Sequence, residues 1–100
     1  MLLNGKEYKL KVSGGTLLTY KEEFRKNIFE TMKGMAKGLD YYDLFEVLYA
    51  ILKSNKYIDC SYEEFMNNLD PREILGGDQY GEIFSALNGM FAGDVEPKKK

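Results

Sequence analysis

The chain has 100 residues, 44% apolar and 30% charged, with 14 Lys or Arg against 16 Asp or Glu. This is the profile of one globular domain with a single modest core, not of a disordered chain. His is absent, Cys occurs once and no apolar run approaches the ~18–20 residues of a membrane span, which argues against His-based catalysis, a Cys/His metal site, an internal disulfide and a spanning helix.

Three of the positive charges are Lys98, Lys99 and Lys100, so the preceding body carries 11 positive and 16 negative charges. A nucleic-acid binder shows the opposite, a basic face or stripe. The N-terminus has no basic segment followed by an apolar run, so a secretory signal is not expected. The expectation is a soluble cytoplasmic protein.

In chain order, Asn4-Gly5 is a hairpin signal, because both central positions of a type I′ turn need positive φ. From Lys6 to Val12 the residues alternate, with Tyr8, Leu10 and Val12 on one face and Lys9 and Lys11 on the other. Such a hairpin is marginal alone and must lie on something. Ser13-Gly14-Gly15 breaks the strand. Thr19-Tyr20-Lys21-Glu22 has the form of a capping box, so a helix is predicted from Thr19, with Tyr20, Phe24 and Ile28 on one face and Met32 and Met35 extending it. Gly34 and Gly38 weaken and end it.

Asp40 caps a predicted central helix over 41–54, with Leu44, Phe45, Leu48, Ile51 and Leu52 as its buried stripe. Ser61-Tyr62-Glu63-Glu64 begins a short helix to about Leu69, with Phe65 and Met66 inward. Asp70-Pro71 is a further start, with Pro where a missing N–H costs nothing, and Gly76-Gly77 closes that turn. A last helix over 79–91 places Tyr80, Ile83, Phe84, Leu87 and Phe91 on one side. The predicted fold is α+β, an N-terminal β-hairpin packed on a small bundle of about four helices. It forms a single domain over 1–93, followed by a flexible Lys-rich tail over 94–100.

Signatures of chemistry are sparse. Glu22-Glu23, Glu63-Glu64 and Asp70 with Glu73 read as acids at helix starts, where the macrodipole favours them, rather than as a catalytic pair. The stretch from Gly76 to Leu87 lacks the first Asp and last Glu of an EF-hand loop, and no glycine set matches a phosphate-binding loop. Cys60 has no His to activate it and reads as a small half-buried residue. Met32, Met35, Met66 and Met90 read as core filler. Beyond the Leu/Phe stripe, the central helix carries Tyr41, Tyr42 and Tyr49. These tyrosines either close the edges of the core or form an interface, which Tyr favours because it is large, rigid and amphipathic. No catalytic residue, cofactor or metal ligand is assigned.

The order "LNGKEYKLKV", "TLLTYKEEFRKNIFE", "DLFEVLYAILKS", "DCSYEEFMNNLD" covers most of the chain and resembles the tail assembly chaperones of long, non-contractile-tailed phages and prophages of Gram-positive bacteria. In sequences of that kind Gly is expected after the Phe at position 24, where this chain has Arg25. The resemblance implies a non-enzymatic protein of the host bacterial cytoplasm that binds the tape-measure protein and recruits major tail-tube subunits. It would self-associate into a ring or spiral and be absent from the mature virion. It implies no nucleic acid or membrane partner. Related proteins exist in two lengths, the longer made by ribosomal frameshifting, and the run Lys98-Lys99-Lys100 is where a slippery site would fall. Tyr41, Tyr42 and Tyr49 are the candidates for self-association or partner binding. The alternative is a small regulatory or antitoxin-like domain that binds a protein or DNA.

Overall fold

The computed structural model describes residues 1–38, 40–76 and 79–95. Among these, two short strands precede six helices: β1 (Leu2–Leu3), β2 (Lys6–Glu7), α1 (Gly14–Phe24), α2 (Ile28–Lys37), α3 (Tyr41–Ser54), α4 (Tyr62–Asn68), α5 (Pro71–Leu75) and α6 (Gln79–Val95). The hairpin-plus-helices architecture is as expected, but there are six helices where about four were predicted. The long first helix is two helices, and the Asp70-Pro71 turn is a helix of its own.

β1 and β2 pair antiparallel, with Leu2 opposite Glu7 and Leu3 opposite Lys6. Asn4 and Gly5 take φ of 51° and 79°, the left-handed conformation that the Asn-Gly turn requires. Strand pairing does not continue to Val12. Past Tyr8, side chains take over the carbonyls: Tyr57 donates to Lys9 O at 3.1 Å and Asn55 Nδ2 to Lys11 O at 2.8 Å. The alternation survives, with Tyr8, Leu10 and Val12 half-buried against the core and Lys9 and Lys11 exposed. The hairpin lies over α5 and α6. Asn4 N–H donates to both Glu73 carboxylate oxygens at 3.2 and 3.1 Å, and the Gln79 amide brackets the Leu2 peptide.

The first helix begins earlier than predicted. Ser13 is its N-cap, with extended φ of −139°, and Ser13 N–H donates to Thr16 Oγ1 at 3.1 Å. The two glycines occupy the first two positions of α1, outside the helix interior where the conformational cost of Gly applies in full. Thr19 is therefore inside α1, and Glu22 and Glu23 lie near its end rather than its start. Thr16 is fully buried, and its hydroxyl lies 2.8 Å from that of Ser54, which donates to Ile51 O. This chain of bonds ties the start of α1 to the end of α3. At the other end Lys26 reaches Asp43, so the two helices run antiparallel.

Arg25 breaks the predicted helix. Its φ of 56° and ψ of 34° are left-handed, and its N–H closes α1 on Lys21 O at 2.8 Å. Asn27 then caps α2, its side chain accepting from Phe29 N–H at 2.8 Å. Tyr20, Phe24 and Ile28 still point into one core, but from two helices.

The central helix is as predicted. Asp40 accepts from Tyr42 N–H at 2.9 Å, and Leu44, Phe45, Leu48, Ile51 and Leu52 are all buried, joined by Val47, Tyr49 and Ala50. Each large aliphatic side chain removed from water there contributes about 1.5–3 kcal/mol. Ser61 and Asp70 cap α4 and α5 by accepting from Glu64 N–H and Arg72 N–H. Gly76 ends α5, where a Cβ would stand 2.7 Å from Arg72 O. On α6, Ile83 and Leu87 are fully buried, Phe84 is half-buried and Tyr80 is exposed. The side chains of Met90 and Phe91 lie outside the described residues, whereas Met35 is buried and Met32 and Met66 pack partly buried against the core. α6 continues to Val95, two residues past the expected domain boundary, and Lys98, Lys99 and Lys100 lie outside the described residues.

Candidate protein-binding surface

The three candidate tyrosines of α3 separate. Tyr49 is fully buried, which corrects its reading as an interface residue. Its ring meets Phe24, Tyr62 and Phe65 at centroid distances of 6.1, 5.3 and 5.4 Å, and its hydroxyl donates to Cys60 O at 2.6 Å. Burial pushes that hydroxyl's pKa above the ordinary tyrosine value. The surplus of aromatics on α3 is thus partly a surplus of core. Tyr41 and Tyr42 point the other way, 49% and 73% exposed. They sit on the first turn of α3, where the stripe of buried residues has not yet begun.

The same end of α3 adjoins a concave surface of about 780 Å³ lined by Leu17, Leu18, Lys21 and Glu22 of α1, Arg25, Lys26 and Asn27 of the corner, and Ile28 and Phe29 of α2. Lys26 joins the two regions. Its ammonium lies 2.8 Å from Glu46 and 3.4 Å from Asp43, one residue after Tyr42. The hydrogen bond to Glu46 holds the Lys26 pKa above its ordinary value. Along the floor Ile28 is buried and Leu17 half-buried, while Leu18 is 58% exposed and Phe29 41%. Lys21, Glu22 and Arg25 form an exposed charged lip.

The sequence marked Arg25 only as a departure from an expected Gly and Lys21 only as part of a capping motif, and it did not single out Leu18 or Phe29. One signal was present: Leu17-Leu18 places two large apolar residues at consecutive helical positions, about 100° apart, and a small core accepts only one. The other signal, Arg25-Lys26-Asn27 as a helix boundary, was masked by the continuous apolar period across it.

A second groove of about 740 Å³ runs between the segment 7–10 and the Gly81–Ala86 face of α6. Its carboxylates, Glu7 and Glu82, are engaged by the N-terminal ammonium at 2.7 and 2.9 Å. Cys60 is half-buried and, with Leu3, Tyr8, Leu52 and Phe65, lines a small apolar cavity of about 140 Å³. Among the described residues, no three His, Cys, Asp or Glu side chains converge on a metal-sized site, and no helix is long and apolar enough to cross a membrane.

Comparison with protein-family models, with curated proteins and with solved structures gives no match.

Proposed function

We propose that this chain is a protein-binding module of the tail-assembly-chaperone kind that its sequence resembles. In that role it holds a tape-measure protein before the tail forms, recruits major tail-tube subunits, and acts as an oligomer that leaves the finished particle. The observation that carries the reading is the α1–α2 groove. Its floor exposes part of Leu18 and Phe29, and Lys26 at its edge is paired with Asp43, next to the exposed Tyr42. Exposed apolar surface rimmed by polar residues marks a binding site. Many weak contacts of this kind along a long client, multiplied by self-association, supply avidity that one small groove does not. Ring or spiral assembly then depends on whether head-to-tail contacts close.

The test is a pull-down of the tagged chain from induced or infected cells, followed by mass spectrometry. Recovery of a tape-measure protein, or of peptides continuing beyond Lys100, supports the reading. Recovery instead of a DNA-bound or host regulatory protein, with binding that weakens steeply as salt rises, replaces it with the regulatory or antitoxin-like alternative.

A further inference from the structure

We infer that the α1–α2 groove receives an amphipathic helix whose apolar face is flanked by Asp and Glu. The carboxylates would meet Lys21 and Arg25, and the apolar residues would meet Leu17 and Leu18. This rests on the reading of the chain as a protein-binding module and specifies the chemistry of the partner segment.

The kind of backbone follows from the walls. Both are helices whose peptide groups bond within their own turns, so the groove offers no unpaired ladder to an added strand. A segment entering it must satisfy its own N–H and C=O groups, which a helix does. The α1 wall from Leu17 to Arg25 is on the order of 12 Å long, matching two turns of a partner that presents residues i, i+3 or i+4, and i+7.

The charge of the partner follows from the lip. Lys26 is committed to Glu46 and Asp43 of α3, whose two charges exceed its one, so it adds no positive charge to the lip, which is left with Lys21 and Arg25. Lys21 and Arg25 are exposed and make no ion pair among the described residues, against the single carboxylate of Glu22. The lip is thus locally positive on a body that carries 11 positive and 16 negative charges before the final three lysines. Complementarity of this kind selects an acidic flank and disfavours a basic one. The chain's own terminal segment, with Lys98, Lys99 and Lys100, has the wrong sign for this groove. Arg25 adds a second argument. It holds a left-handed φ of 56°, a conformation in which Gly is the unstrained residue, and so places a cation at the lip against a backbone cost. A free phosphate or a nucleic-acid backbone would satisfy the cations but leave Leu18 in water.

The experiment uses the full chain and two labelled helical peptides with the same apolar face, one flanked by Glu and the other by Lys, read by fluorescence anisotropy. The Glu peptide is expected to bind about tenfold tighter, with the difference shrinking between ~50 and ~500 mM salt. Lys21→Glu with Arg25→Glu should reverse the preference. Leu18→Ser should weaken both peptides about tenfold without moving the thermal midpoint, because Leu18 is already largely in water. Arg25→Gly, which fits the backbone, should lose several-fold affinity for the Glu peptide alone. Equal affinity for both peptides, binding of neither at millimolar concentration, or a preference indifferent to reversal of Lys21 and Arg25 overturns the inference. So does a dimer of the free chain, seen by sedimentation, that Leu18→Ser dissociates, for then a second copy fills the groove. A tape-measure protein still captured by Leu18→Ser would overturn the groove assignment while leaving the chaperone reading intact.

Discussion

The Tyr20 hydroxyl and Thr31 Oγ1 lie 2.8 Å apart, both buried, and bridge α1 to α2 across the break at Arg25. Tyr20 also donates to Glu46 Oε1 at 3.2 Å, so its one proton points at the carboxylate and its oxygen accepts from Thr31. Glu46 in turn holds Lys26. One tyrosine thus fixes the angle between the two helices that wall the groove and connects it to α3.

Tyr20→Phe removes the acceptor and leaves the Thr31 hydroxyl buried without this partner. The expected loss is about 1–2 kcal/mol in urea unfolding. Adding Thr31→Val should cost less than the sum of the two single changes, because the pair is then replaced rather than broken. Strict additivity would show that the two hydroxyls are not coupled.

Tyr49 and Tyr42 should behave oppositely. Tyr49→Ala empties the centre of the Phe24, Tyr62 and Phe65 cluster and should cost about 3–5 kcal/mol. Tyr42→Ala, on an exposed first turn, should change stability by no more than about 0.5 kcal/mol. Urea midpoints measure both, and association of Tyr42→Ala measured alongside shows whether that ring belongs to an interface.

Arg25→Gly should stabilise the fold by about 1 kcal/mol, since Gly takes the left-handed conformation without the Cβ penalty. A higher thermal midpoint together with weaker peptide binding is the expected combination. A lower midpoint would mean that the arginine side chain supports the corner more than its backbone strains it.

Alkaline pH should weaken the fold through two tyrosines. Burial pushes Tyr20 and Tyr62 each up to about 12. In the unfolded chain both ionise near their ordinary value of about 10. Their contribution is therefore complete below about pH 10 and is lost as pH rises from about 10 to about 12, because only the unfolded state releases protons in that window. Urea midpoints at pH 9 and 11 should fall more for the native chain than for Tyr20→Phe. Equal falls would assign the loss to other groups.

Most of the local structure is legible in short stretches of the chain. Asn4-Gly5 required a left-handed turn, Asp40, Ser61 and Asp70 set three helix starts, and the spacing from Leu44 to Leu52 made α3 the buried centre. Each is a short-range consequence of backbone sterics, capping or helical period, legible within a few residues. Three outcomes needed contacts between distant segments. Whether Tyr49 or Tyr42 faced the core depended on where Phe24 and Tyr62 lay, because α3 is apolar almost all round and its own period does not choose. The break at Arg25 has local makers, its left-handed backbone and the Asn27 cap, but the apolar period runs across it, and the buried Tyr20–Thr31 contact exists only in the bent arrangement. The groove exists because of that bend. Its residues all lie within 17–29, but a straight helix would spread them around its circumference, and only the corner at Arg25 folds them onto one concave surface.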